Sequence, residues 1–338
     1  MEQILFFDTD DLLKNYWSAH PLTGFEPIFI EKTLNACTAA ELAPYRDARI
    51  ISSFTHSDTL GAGQLDFFPN LKLIATRSTG YNHINLDYCQ RRGIVVCNVP
   101  AYGATTVAEF AFALLLAVAR KLIPANNDMV RDHISISNYM GFDLAGKVLG
   151  VIGTGSIGRH MIQIAQGFGM KILAYDPFPN EALQGMYVDN LSDLYQQSDI
   201  ISLHVPSTPQ NHHLLNEKAF QQMKKGVIII NTARGDLIDT QALYWALRTG
   251  IVGGAGLDVL ENEDFLLHDE VVLNSQDRDS EFLLDSAMNL KLLQFRNVIA
   301  TPHVAFNSID AINRINETTL KTIQAFAEGQ IINSVSNR

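Results

Sequence analysis

The sequence predicts an α/β protein made of two doubly wound parallel-sheet domains. Three observations point there. Short apolar runs without polar alternation recur through the first 100 residues, a second series of such runs begins near residue 148, and a glycine-rich turn opens that second series. Strands buried on both faces of a parallel sheet read as continuous apolar runs, with helices as the crossovers between them. A chain of 338 residues is long enough for two cores.

Taken in order, the first strands are QILFFD, EPIFI, ARIISSF, LKLIATRS and GIVVCNV, separated by stretches with helical spacing such as LDYCQRRG. From Val107 to Ile123 the chain is almost wholly apolar. It carries Glu109 and Arg120 and is too short for a membrane span, so it reads as a buried helix. The second series is VLGVIG, MKILAYD, SDIISLHVP, GVIIINTARG, GGAGLDVL and NVIATPH, six strands in all. Glu261 to Asn289 is an acidic interruption that reads as a solvated surface loop with a short helix, and Ser308 to Glu328 reads as an amphipathic helix. No solenoid-period repeat or low-complexity tract is visible.

Bulk properties exclude several classes of function. A net charge of -11 argues against nucleic acid or an anionic membrane as partner. Cys37, Cys89 and Cys97 are an odd number without metal-ligand spacing, which fits a reduced cytoplasmic interior and no metal site. The N-terminus, MEQILFFDTDD, is acidic and does not read as a signal peptide.

The turn in VLGVIGTGSIGRH follows a strand-like run and opens a helix-like one, the context a dinucleotide fingerprint requires. Gly153 permits the turn, Gly155 lets the backbone approach a pyrophosphate, and Gly158 lets helix and strand pack closely. The helix start presents the N–H groups of Ser156 and Ile157 to phosphate. The next strand ends in Asp176, about 20 residues on, where an acid binds the ribose hydroxyls. A carboxylate repels a 2′-phosphate, and Pro177 follows it rather than arginine, so NAD is expected over NADP.

Three further strand ends bring polar groups to the edge where ligands lie in an open α/β sheet. NTARGD supplies Arg234, GLDVLENED supplies Asp258, Glu261 and Glu263, and IATPHVAF supplies His303. Beside a nicotinamide, these make a catalytic constellation.

With these residues in place, the chain resembles the D-isomer-specific 2-hydroxyacid dehydrogenases, most closely the D-lactate dehydrogenase branch. The matching motifs span nearly the whole length: ATRSTGYNHINL at 75–86, NVPAYGATTVAEFA at 98–111, GVIGTGSIG at 150–158, HVPSTPQNHHLL at 204–215, NTARGDLID at 231–239, GAGLDVLENE at 254–263 and TPHVAF at 301–306. The resemblance implies a Rossmann NAD domain, residues 102–302, inserted into a flavodoxin-like split substrate domain formed by 1–101 and 303–338. It also implies a homodimer packed through the apolar helix.

Roles follow residue by residue from the resemblance. Arg234 matches the arginine that grips the substrate carboxylate and carbonyl, a task suited to a planar fork. His303 matches the general acid/base and Glu263 its carboxylate partner, which favours the charged imidazolium. Thr79 and Gly80 match the loop whose N–H groups bind the substrate carboxylate. Asp258 matches the acid near the nicotinamide carboxamide, while Val205 and Pro206 match the loop beside the adenine. Thr232 and Ala233, just before Arg234, are assigned to the cofactor. Tyr102, Phe306 and Phe54 are expected around the substrate side chain.

The expected reaction is NAD-dependent reduction of pyruvate or another short 2-keto acid to a D-2-hydroxy acid. Asp264 follows the catalytic glutamate, as in the lactate-type branch, where many relatives acting on larger or phosphorylated acids have proline. Glu263 in place of glutamine argues against formate. A dehydrogenase for a bulkier acid is the alternative. So is an NAD(H)-sensing corepressor-like scaffold, against which stands the absence of an appended tail.

Overall fold

The structure, a computed structural model, describes residues 1–54, 59–129, 135–263 and 280–335. It divides into two compact units: Met1–Tyr102 with Ser308–Arg338, and Gly103–Asn307.

All five strands expected in the first unit form: β1 (Glu2–Phe6), β2 (Phe25–Phe29), β3 (Ile50–Ser52), β4 (Leu73–Ala75) and β5 (Val95–Cys97). They make one parallel sheet in the order β2-β1-β3-β4-β5, the flavodoxin-like 2-1-3-4-5. Their lack of polar alternation has a direct cause, because both faces are covered. Ile4 and Phe6 pack with Trp17 and Ile323, while Leu5 and Phe7 pack with Leu65, Phe68 and Val96 on the other side. Ile323 belongs to the helix Ile309–Ala327, which Ser308 caps by accepting from Ala311 N. That buried contact is what returns the C-terminal segment to the first unit.

The second unit holds the other six strands: β6 (Val148–Ile152), β7 (Lys171–Tyr175), β8 (Ile200–Leu203), β9 (Val227–Asn231), β10 (Val252–Leu257) and β11 (Val298–Ala300). The parallel order is β11-β10-β9-β8-β6-β7. Beyond β7 a single parallel bridge joins Ala174 to Tyr187, with Ala174 N donating to Met186 O and Val188 N to Ala174 O. Counting that rudimentary strand third in chain order restores the Rossmann arrangement, in which order reverses at β6. The stretch GMYVD at 185–189 carries no strand-length apolar run.

The helix Ala104–Ala119 packs on Ile228 and Ile230 of β9 and lies so close to β10 that side chains are excluded at Gly254 and Gly256. A Cβ at Gly254 would lie 2.8 Å from Val118 Cγ1, and one at Gly256 would lie 2.9 Å from Leu114 Cβ. This explains Gly254 and Gly256 in GGAGLDVL, while Gly253 is pressed by the backbone of Gly226.

Three boundaries depart from expectation. The apolar helix stops at Ala119 instead of running to Ile123, because Lys121 takes φ 49° and a new helix starts at Leu122. The domain junctions fall after Tyr102 and after Asn307, not at 101/102 and 302/303. Tyr102 O accepts from Arg314 Nε of the C-terminal helix at 2.7 Å, holding Tyr102 in the first unit. Residues 303–305 are bound to Asp258, holding them in the second. Of the acidic interruption, 264–279, including Asp264, lie outside the described residues, and a helix Ser280–Leu292 follows.

Candidate active site

The glycine turn sits between the carboxyl ends of β6 and β8, where the strand order reverses. Gly153 has φ +94°, and a Cβ there would lie 2.6 Å from His204 O and 2.8 Å from Val205 Cγ1. At Gly158 a Cβ would lie 2.0 Å from Gly153 O. Gly155 faces open space, and among the described residues no acceptor takes the N–H groups of Gly155, Ser156 or Ile157 at the start of the helix Ser156–Gly167. An anion-binding helix N-terminus is therefore ready there.

Asp176 ends β7 half-buried. Its Oδ2 accepts from Thr154 N at 2.6 Å and Thr154 Oγ1 at 3.1 Å, and its Oδ1 accepts from Phe178 N at 2.8 Å. The Thr154 hydroxyl also meets Tyr187 Oη at 2.7 Å, so the rudimentary third strand steadies the acid through the glycine turn. Both residues were outside the sequence-based set; the T in GTGSIG was the visible signal. Among the described residues the buried Thr232 hydroxyl has no hydrogen-bond partner, an unmet polar atom at the end of β9. Val205 is half-buried and Pro206 exposed in the loop after β8. Together, the open face at Gly155, the free N–H groups and the orphaned hydroxyl fit a dinucleotide.

At the ends of the neighbouring strands β9, β10 and β11 stand Arg234, Glu263 and His303. Asn231 shapes the arginine loop, accepting from Ala233 N and donating to Arg234 O. The half-buried Arg234 guanidinium donates only to Ala233 O, and among the described residues no carboxylate pairs with it. His303 Nδ1 lies 2.6 Å from Glu263 Oε1, and Glu263 Oε2 accepts from Leu260 N at 3.1 Å. That contact orients the ring so that Nε2 faces away from the carboxylate.

His303 has φ 53°, a left-handed backbone that a β-carbon disfavours. Asp258 holds it there. The Asp258 carbonyl accepts from His303 N. Its carboxylate accepts from Thr301 Oγ1 at 2.6 Å, Val304 N at 2.9 Å and Ala305 N at 2.8 Å. The side chain is thus turned inward at 1% exposure and builds the histidine loop. Burial pushes its carboxyl above the ordinary carboxylate range, against the pull of the hydroxyl and the two N–H groups.

In the first unit, Thr79 and Gly80 follow β4. Thr79 Oγ1 donates to Val99 O, Asn98 Nδ2 donates to Thr79 O, and Ser78 Oγ donates to Gly80 O. Among the described residues nothing accepts from the Thr79 and Gly80 N–H groups, which leaves both for an anion. Phe54 and Tyr102 belong to this unit and Phe306 to the other; all three are half-buried. Arg77, which sequence reasoning passed over, is 3% exposed. It donates to Phe7 O and Asp8 O and lies 5.6 Å from the Phe54 ring centroid. Burial pushes its pKa down to about 10.

The sequence of the NAD binding domain of the D-isomer specific 2-hydroxyacid dehydrogenases matches residues 112–305, more than half of the chain. The chain belongs to that family. It is an NAD-dependent 2-hydroxyacid dehydrogenase, acting between a 2-keto acid and its 2-hydroxy acid. It is 41% identical to the D-lactate dehydrogenase of Escherichia coli over 263 residues, 77% of each chain. Among solved structures it resembles the D-lactate dehydrogenase of Aquifex aeolicus complexed with NAD and lactic acid. The TM-score is 0.84 at 36% identity, covering 99% of both chains. It also resembles a D-2-hydroxyisocaproate dehydrogenase, with a TM-score of 0.84 at 30% identity over 99% of this chain and 100% of that one. Among the described residues, no helix is long and apolar enough to cross a membrane.

Proposed function

We propose that the chain reduces pyruvate and other short 2-keto acids to D-2-hydroxy acids, with His303 as general acid. One observation carries this reading: His303 is paired through Nδ1 to Glu263 at 2.6 Å, on the sheet edge shared with Arg234, which no carboxylate pairs among the described residues. Bound NADH supplies the hydride that goes to C2. His303 Nε2 gives the proton to the C2 oxygen, and in the reverse direction neutral His303 takes it back. Arg234 holds the carboxylate and polarises the carbonyl through its fork. Family resemblance assigns the free N–H groups of Thr79 and Gly80 to the substrate carboxylate. Asp176 takes the ribose, and the turn from Gly153 to Gly158 takes the pyrophosphate. The D configuration of the product rests on family membership.

The substrate domain is the first unit, and Phe54, Tyr102 and Phe306 are the residues that family resemblance assigns to the substrate side chain. Aromatic side chains near C3 would favour a methyl group. A wider pocket would reward a branched chain with about 0.8 kcal/mol per buried methylene. The resemblance to a D-2-hydroxyisocaproate dehydrogenase keeps that second reading in play. The test is kcat/KM for pyruvate, 2-ketoisocaproate and phenylpyruvate, and a preference above tenfold for phenylpyruvate refutes the small pocket.

The proposal extends to a cytoplasmic homodimer. Leu122, Ile123, Met129, Ile136 and Met140 are exposed apolar residues in the segment after the apolar helix. Light scattering over a dilution series checks it, and a single-chain mass at micromolar concentration refutes it.

A further inference from the structure

His213 stands outside the constellation above, yet it touches two loops of that constellation. It follows β8 in the stretch NHHLL and has φ 51°. Its N–H donates to Asp236 O at 2.8 Å, within the loop that carries Arg234, and the Asp236 carboxylate is in turn bound by the Ser207 hydroxyl. Its Nε2 lies 2.6 Å from Glu261 Oε1.

Glu261 is two residues before Glu263 and its side chain is only 10% exposed. Oε2 accepts from Thr240 Oγ1 at 3.0 Å, and its carbonyl accepts from Asn289 Nδ2 at 2.6 Å. The backbone is pressed from the other side as well. A Cβ at Gly235 would lie 2.2 Å from Leu260 C and 2.5 Å from Glu261 N. The turn 260–263 is therefore clamped between His213, Thr240, Asn289 and Gly235, and its last residue is the partner of His303.

His212, His213 and Glu261 also bring three metal-ligating atoms within 4.8 Å of one another. The two imidazoles stack with centroids 3.9 Å apart and planes 29° apart. Such rings point their lone pairs alongside each other rather than at one ion about 2.0 Å from both nitrogens. The cluster is built as a hydrogen-bonded anchor.

We propose that His213, through Glu261, is a positioning residue for Glu263 and joins the loop of Arg234 to the turn that orients His303. This rests on the reading of Glu263 and His303 given above. A buried carboxylate that loses a charge-assisted partner moves towards water or another donor, and here the move would carry Glu263 with it. A small displacement at a proton-transfer site is enough to lower turnover.

The test is a double-mutant cycle in keto-acid reduction with pyruvate, with NADH affinity measured by fluorescence titration. His213→Asn tolerates the left-handed backbone but is too short to reach Glu261; His213→Gln places an amide donor near the position of Nε2. The expected result is that His213→Asn lowers kcat/KM at least tenfold while NADH affinity stays within twofold. His213→Gln recovers activity to within threefold of the unmodified protein. In a Glu263→Gln background, His213→Asn costs less than twofold further. If His213→Asn is too unstable to assay, Thr240→Val removes the donor on the opposite oxygen, and its effect is expected to vanish in the same background. A full tenfold loss in both backgrounds, unchanged turnover in the Asn variant, or a parallel loss of NADH binding overturns the proposal. Unchanged turnover in Glu263→Gln alone strikes the role of Glu263 itself, and the positioning of it with it.

Discussion

Asp258→Asn tests how the histidine loop is built. Three donors converge on the carboxylate: the Thr301 hydroxyl and Val304 N–H on one oxygen, and the Ala305 N–H on the other. An amide has a single acceptor oxygen. If that oxygen faces Val304, the new NH2 faces the Ala305 N–H; if it is flipped, the NH2 faces the Val304 N–H, and only the Thr301 hydroxyl can turn to accept. In either orientation one backbone donor at a 1% exposed site is left unmet. Losing one hydrogen bond to a charged group costs about 1.5–3 kcal/mol, and stranding a buried donor costs about 1–3 kcal/mol. Removing a charge that burial already opposes returns part of this, so the net loss is about 2 kcal/mol. In a unit of this size that lowers the melting temperature by about 4–8 °C. Calorimetry is the right assay, because the two units need not melt together. Turnover suffers separately. His303 depends on Asp258 O and on the anchored residues 304–305 for its left-handed backbone, so kcat/KM for the keto acid should fall at least about tenfold with NADH affinity retained. A variant that melts within 1 °C of the unmodified protein and keeps kcat/KM within twofold refutes the anchoring role.

Other outcomes can be checked by steady-state kinetics and cofactor titration. His303→Ala should lower turnover by at least about 10² while NADH still binds; retained turnover removes His303 as the acid. Arg234→Lys should be nearly as harmful, because an ammonium cannot reproduce the planar fork, and near-normal kcat/KM would count against the bidentate grip. The unmodified protein should strongly prefer NADH to NADPH, and Asp176→Ala should narrow the gap; equal use of both by the unmodified protein contradicts the role of Asp176. Phe54→Ala should raise kcat/KM for 2-ketoisocaproate relative to pyruvate, and an unchanged ranking places Phe54 outside the pocket.

All eleven strands, the glycine turn and the three charged strand ends could be read from the sequence, because the interactions that create them are local. A run such as GVIIINTARG needs only its own apolar side chains to be a buried strand, and G-x-G-x-x-G needs only backbone freedom within six residues. The flanking pattern then places Arg234 and His303 at the carboxyl edge without knowledge of neighbours. What only the tertiary structure decided depends on partners far apart in the chain. The bridge at Tyr187 forms because β7 offers an unpaired edge, not because GMYVD resembles a strand. The apolar helix breaks at Lys121 although the apolar run continues to Ile123. Asp258 turns inward because residues 301–305 of the adjacent strand end, more than 40 positions later, bring three donors to it. His213 meets Glu261 across 48 positions only once β8, β9 and β10 stand side by side. Hydrogen bonds over such separations are set by strand order and register, which no local periodicity encodes.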